Sequence, residues 1–147
     1  MSHNNTPAEI LRASLVTGGV GVLQSRDLSG AWPIFVGHMP DTPDDSICIY
    51  DTPGFHEGRI NSTGESVGKP GWQVRVRSTN FRDSYIQMKL IAAHLDGILR
   101  ERVAVDGDVY VIQAVKPGTI LNIGQEPDNK QRSLFTLNGT ITCATTA

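Results

Sequence analysis

The sequence predicts an α+β fold: a mainly antiparallel, twisted β-sheet with an N-terminal helix and one long helix packed on one face. Three observations predict it. First, the apolar period changes within residues 71–97. Trp72, Val74 and Val76 alternate with Gln73, Arg75 and Arg77, and then Phe81, Tyr85, Met88, Ala92 and Leu95 recur at helical steps. Second, Asp106-Gly107 lies between two β-rich runs, a strong hairpin signal. Third, the elements read helix, strands, helix, strands, a segregated order that favours antiparallel pairing over a parallel sheet with crossover helices.

The elements follow in order. Thr6-Pro7-Ala8-Glu9 opens a helix, with Thr6 as N-cap, Pro7 at N1 and Glu9 completing a capping box. Ile10, Leu11, Ser14 and Leu15 make its apolar face, and Gly18-Gly19 stops it near Thr17. Residues 20–30 carry no assignable pattern. Residues 31–37 read as a strand. Pro33 cannot donate a ladder hydrogen bond, so this is an edge strand or its pairing begins after Pro33. Residues 38–45 form a Pro/Asp-rich turn and 46–51 a short apolar strand. From 52 to 70 no period survives among Pro53, Gly54, Gly58, Gly64, Gly68 and Pro70. That segment is read as a long mobile loop, functional or a tolerated insertion, with function favoured because it leads into the strand at 71–78.

Asn80 caps the long helix, Asp83 sits near the positive end of its dipole, and Gly97 suits a left-handed C′ position. Residues 102–105 and 109–112 form the hairpin strands. Lys116-Pro117-Gly118 turns the chain, 119–123 is a short strand, and 124–131 is a polar turn. The last strand, 133–143, puts Phe135, Leu137, Ile141 and Cys143 on one face and Thr136, Asn138, Thr140 and Thr142 on the other.

A chain of 147 residues fits one domain, 1–147. Its net charge of −2 argues against a general phosphate-backbone binder. No basic and apolar leader opens the chain, and no run approaches a membrane span, so a soluble protein is expected. Cys48 and Cys143 are read as buried reduced thiols.

No chemistry-bearing pattern stands out. His3, His38, His56 and His94 have no metal-ligand spacing, and the cysteines form no CxxC. Asp41, Asp44, Asp45 and Asp51 read as a solvated acidic turn rather than a cation site. The Gly-x-Gly at 19–21 lacks a strand-to-helix context, and no Gly-x-Ser-x-Gly elbow appears. A triad of Ser, His56 or His94, and Asp stays open in principle, since triads assemble in space. No catalytic residue, metal or cofactor is assigned, and the chain is read as not an enzyme.

Two features face outward. Arg75 and Arg77 share a strand face with Gln73, either a solvated side or a partner surface. Ile86, Leu90 and Ala93 form a second apolar stripe on the long helix, covered by the first helix or by another subunit.

With these pieces in place, the chain resembles the tail-terminator (minor capsid, head–tail completion) proteins of long-tailed bacteriophages. The resemblance rests on the order of an N-terminal helix, Trp32-Pro33-Ile34-Phe35-Val36-Gly37 with Pro40-Asp41, and Ile47-Cys48-Ile49-Tyr50-Asp51-Thr52-Pro53-Gly54. Gln73-Val74-Arg75-Val76-Arg77-Ser78 and Phe81-Arg82-Asp83-Ser84-Tyr85 follow, then Asp106-Gly107, Leu121-Asn122-Ile123-Gly124 and a Thr/Asn-rich closing strand.

The resemblance implies a homo-oligomeric ring, usually a hexamer, at the head-proximal end of the tail tube. Such a ring stops tube polymerisation and offers a surface to the head connector or completion protein. Its partners would be itself, the tail-tube protein and the head connector. DNA would pass through without specific binding, and no membrane is involved. Assembly would occur in the host cytoplasm and the product would sit in the virion. Arg75, Arg77, Arg82, Ile86, Leu90, His56 and Arg59 are the candidate contacts with a neighbouring subunit or the tube. The alternatives are another neck or tail-tube structural protein, or a small hydrolase that no constellation supports.

Overall fold

A computed structural model of the chain describes residues 5–23, 32–59, 66–125 and 131–145. The elements are α1 (Pro7–Thr17), β1 (Val22–Leu23), β2 (Pro33–Val36), β3 (Ser46–Arg59), β4 (Ser66–Ser78), α2 (Phe81–Asp96), β5 (Leu99–Val105), β6 (Asp108–Pro117), β7 (Leu121–Gln125) and β8 (Ser133–Thr145). Residues 24–31, the 60–65 part of the expected loop and the 126–130 part of the polar turn lie outside the described residues.

Both helices start as the sequence predicts. Thr6 Oγ1 accepts from Glu9 N in α1, and Asn80 Oδ1 accepts from Arg82 N and Asp83 N in α2. The capping box is half made, since the Glu9 carboxylate accepts from Asn5 Nδ2. A distant residue completes the cap: Asp51 Oδ1 accepts from Ala8 N at 3.0 Å. Gly97 ends α2 at φ −83°, a right-handed conformation rather than the expected left-handed one.

The fold class is α+β, and the sheet is mixed and strongly curled rather than simply antiparallel. Its path runs β1-β2-β3-β4-β8-β6-β5, and β7 also pairs β8. The pairs β1–β2 and β2–β3 are parallel; the others are antiparallel. Hairpin signals mark only antiparallel joints, so the parallel corner left no trace in the sequence. Pro33 pairs with Val22 of β1, and pairing with β3 begins at Ile34, so β2 is not an edge strand.

Two stretches depart from expectation. The segment at 52–70 is not structureless: β3 continues to Arg59, β4 begins at Ser66, and the register runs on through Phe55↔Lys69, His56↔Gly68 and Arg59↔Ser66. Irregularities between Thr52 and Phe55 and between His56 and Arg59 break the two-residue period, which is why no strand pattern showed. Lys116-Pro117-Gly118 does not turn the chain. The Gly118 N–H donates to Asn138 O at 2.7 Å, and β7 continues down the same edge of β8 that β6 occupied.

The Asp-Gly hairpin forms as predicted, with Asp106 at φ 51° and Gly107 at φ 85°, the two positive values a tight hairpin turn needs. α1 and α2 bury Leu11, Leu15, Met88, Ile91 and Leu95 in one cluster with Ile47, Ile49, Trp72, Val74, Val76, Leu137 and Ile141 of the sheet. Gly139, opposite Trp72, leaves room for its indole, since a Cβ there would collide with the ring.

Candidate assembly interface

The side chains expected to face a partner fall into three groups. The first is on α2. Its buried row is Ser84, Gln87, Met88, Ile91 and Leu95. At about 100° per residue, Arg82, Ile86 and Leu90 then fall together on the outward side within about 80°. Ile86 is 47% exposed and Leu90 53%. α1 leaves both about half exposed.

The expected core stripe is rotated. Phe81 and Tyr85 are 56% and 41% exposed, because the buried row runs through Ser84 and Gln87 instead. Both rings rest on buried Phe135 of β8, with centroids 5.2 and 5.6 Å away. They roof the core with one face and meet solvent with the other. Gln87 takes an inward place because its Nε2 donates to Val20 O at 2.6 Å, satisfying a carbonyl just beyond α1.

The second group is on β4, and its two arginines part company. Arg75 is half-buried on the outward face. Its Nε donates to Gln73 Oε1 at 2.9 Å, Gln73 Nε2 donates to Asn138 Oδ1 at 2.9 Å, and its guanidinium lies 5.2 Å from the Tyr50 ring centroid. Arg77 is buried, 2% exposed, and serves its own chain. Its Nε donates to Asp44 O, and its Nη2 to Pro40 O, Asp41 O and Pro43 O. The outward placement expected for Arg77 is therefore corrected.

The cause is the parallel corner. Residues 37–45 must carry the chain from the end of β2 back to the start of β3, and their carbonyls find no ladder there. Arg77 supplies donors from one side. Arg132, also 2% exposed, supplies them from another: Nη1 to Asp41 O at 2.7 Å, and ion pairs to Asp41 Oδ1 and Asp44 Oδ1 at 3.0 and 3.3 Å. Asp45 Oδ1 accepts from Ser78 Oγ at 2.6 Å. The acidic turn is thus an arginine-clamped loop rather than a freely solvated one. Arg132 escaped sequence reading, although a cluster of three carboxylates beside a strand end was a signal that a cation should be near.

The third group, His56 and Arg59, lies on the β3 side of the β3–β4 hairpin, opposite Gly68 and Ser66. The structure thus brings Arg82, Ile86 and Leu90 together, leaves Arg75 on the sheet, and puts His56 and Arg59 on a separate arm.

The remaining polar cluster does not make a nucleophile. Fully buried Ser14 Oγ lies 2.9 Å from His94 Nε2 and 3.0 Å from both Glu101 carboxylate oxygens. The carboxylate only accepts, so the serine proton goes to Glu101 and His94 Nε2–H donates to Oγ. A serine nucleophile needs the reverse, with the imidazole accepting that proton. The cluster pins α1 to α2 and β5. Among the described residues no group of three His, Cys, Asp or Glu side chains could hold a metal ion, and no helix is long and apolar enough to cross a membrane. Burial raises the thiol pKa values of Cys48 and Cys143.

Comparison with known proteins agrees with a structural role. The family described as bacteriophage tail terminator protein matches residues 16–144. No curated protein matches the chain in sequence. Among solved structures, a chain from the virion of a native gene transfer agent particle aligns with a TM-score of 0.51 at 8% identity. It covers 96% of this chain and 99% of its own. A second solved chain aligns at 16% identity over 78% of this chain and 82% of its own, with a TM-score of 0.40, too low to carry an argument.

Proposed function

We infer the work of this chain from its family, since it belongs to the bacteriophage tail terminator proteins. It is a structural protein of the virion tail. We propose that it assembles head-to-tail into a ring, usually of six subunits in the resembling proteins, at the head-proximal end of the tail tube. There it blocks further tube addition and offers its other side to the head connector. The match over residues 16–144 is the observation that carries this reading.

The physics of the surface supports it. Head-to-tail closure needs two different patches on each subunit. The α2 stripe of Arg82, Ile86 and Leu90 is one exposed surface, and the backbone of the β3–β4 hairpin at His56 and Arg59 lies on a different part of the fold. The net charge of −2 suits a lumen that lets DNA through without gripping it.

Deleting the gene from its phage is the decisive experiment. The expected result is tails of uncontrolled length that fail to join heads, seen by electron microscopy, with rescue by the intact chain. Tails of normal length, normally joined, would reject the reading.

A further inference from the structure

The β3–β4 hairpin outruns the sheet. β8 pairs with β4 only from Gly71 to Ser78, and β2 pairs with β3 only at Ile47, Cys48 and Ile49. Beyond Gly71 the hairpin is a two-stranded arm with no further strand on either edge among the described residues. Two strands alone are marginal in water, and their unpaired edges are templates for another strand.

A second open edge lies at the other end of the molecule. β7 pairs β8 on one side only, at residues 133–136, and all five of its residues are exposed. Free edges are usually guarded by charge or proline. The outer strand β5 fits that rule, with Arg100 and Arg102 exposed. β7 has neither charge nor proline, reading Leu-Asn-Ile-Gly-Gln, with Leu121 49% and Ile123 48% exposed; its one irregularity is between Asn122 and Gly124, where Gly124 N donates to Asn122 Oδ1 at 2.8 Å. Its Asn122 is paired with Phe135, the residue that Phe81 and Tyr85 roof. Asn122 shares the face of Phe135, so Leu121, paired with Thr136, lies on the opposite sheet face from Phe81 and Tyr85.

We propose that the arm of one copy adds as a strand to the β7 edge of the next copy. This deepens the ring reading above and rests on it. A subunit cannot make the contact with itself. The arm leaves the sheet past the Gly71↔Thr140 pair, so its far pair, Arg59↔Ser66, lies roughly 30 Å along the strand direction from β7. Two different patches at opposite ends are what a head-to-tail ring requires. The occupant is Phe55–Arg59 of β3, five residues without proline, against the five of Leu121–Gln125. The other arm edge contains Pro70, which has no N–H to give. Leu121 and Ile123 together expose on the order of 200 Å² of apolar surface, about a quarter of the roughly 800 Å² per partner in a stable interface. Backbone pairing and the body of the arm supply the remainder.

The test follows backbone hydrogen exchange of the full-length chain between dilute and concentrated solution. Residues 121–125 and 55–59 should slow together, by about tenfold or more, as copies associate. The double variant H56C with I123C should form disulfide-linked multimers on mild oxidation, while each single variant stays unlinked. Ile123→Lys should abolish the association without changing the melting temperature. Oligomers in which residues 121–125 exchange freely, cross-linking by I123C alone, or protection of β7 only after tail-tube protein is added would each overturn the inference. A chain that stays monomeric to about 1 mM would overturn it as well, because strand addition needs no other component. None of these results bears on tail length in the deletion, by which the family reading is judged separately.

Discussion

Arg75 and Arg77 stand two residues apart on β4, yet one meets solvent and the other the core of a loop. Replacing Arg77 by Met keeps most of its volume but removes donors from four carbonyls of residues 40–44. A loss of about 2–4 kcal/mol is expected, less than four separate charged hydrogen bonds at about 1.5–3 kcal/mol each, because the loop is exposed at residues 41–45 and water can replace some of the donors. Arg75→Met gives up one side-chain hydrogen bond and an aromatic contact, and should cost about 1 kcal/mol or less. Urea midpoints at unchanged slope measure both, and equal losses would contradict the assignment. Tyr50 offers a pH test. Its phenol is pushed up to about 12 from 10.0, by burial first and then by the hydrogen bond with Cys48, with Arg75 opposing. The unfolded chain releases that proton near pH ~10 while the folded chain keeps it, so the unfolded state binds fewer protons in this window. The stabilisation is fully present below pH ~10 and is lost as pH rises toward 12. Tyr50→Phe should flatten that decline in urea denaturation across the same range; an unchanged decline would refute the role. Alternation showed that both arginines left the apolar face. It could not show that a loop from elsewhere in the chain would cover one of them.

At the scale of elements, α2 carries the clearest separation of stability from assembly. Ile86 and Leu90 lie off the buried row of α2 and are about half exposed. Ile86→Lys and Leu90→Lys should therefore each change folding stability by no more than about 0.5 kcal/mol. The same variants should weaken ring formation, read by native mass spectrometry. Intact rings would remove the stripe from the interface. The caps, the Asp-Gly hairpin and the extents of both helices were legible in the sequence, because each depends on a few neighbouring residues. The helix row was misjudged by one side. The buried row includes two polar residues: Gln87 has a carbonyl to satisfy inside and Ser84 donates to Phe81 O. The long hairpin was missed because its irregular register erases the alternation that marks a strand.

For the whole molecule, a chain of this length is long enough to bury a core and still leaves large apolar side chains outside it. Those residues lie on the α2 stripe, against Phe135 and on β7, with Leu99 apart from them. The sequence by itself determined the class of fold, the two helices and most strand positions. It also determined the family, through an order of pieces that survives without any diagnostic motif. These follow from local periodicity and capping, which neighbouring residues decide. Only the tertiary structure decided the parallel corner β1-β2-β3, the two arginines that clamp it, and the continuation of β6 into β7 along β8. Only the tertiary structure placed the free arm and the uncharged β7 edge at opposite ends. Pairing direction, burial of a charge and an unfilled edge depend on residues far apart in sequence, and one strand's pattern is the same whichever neighbour lies beside it.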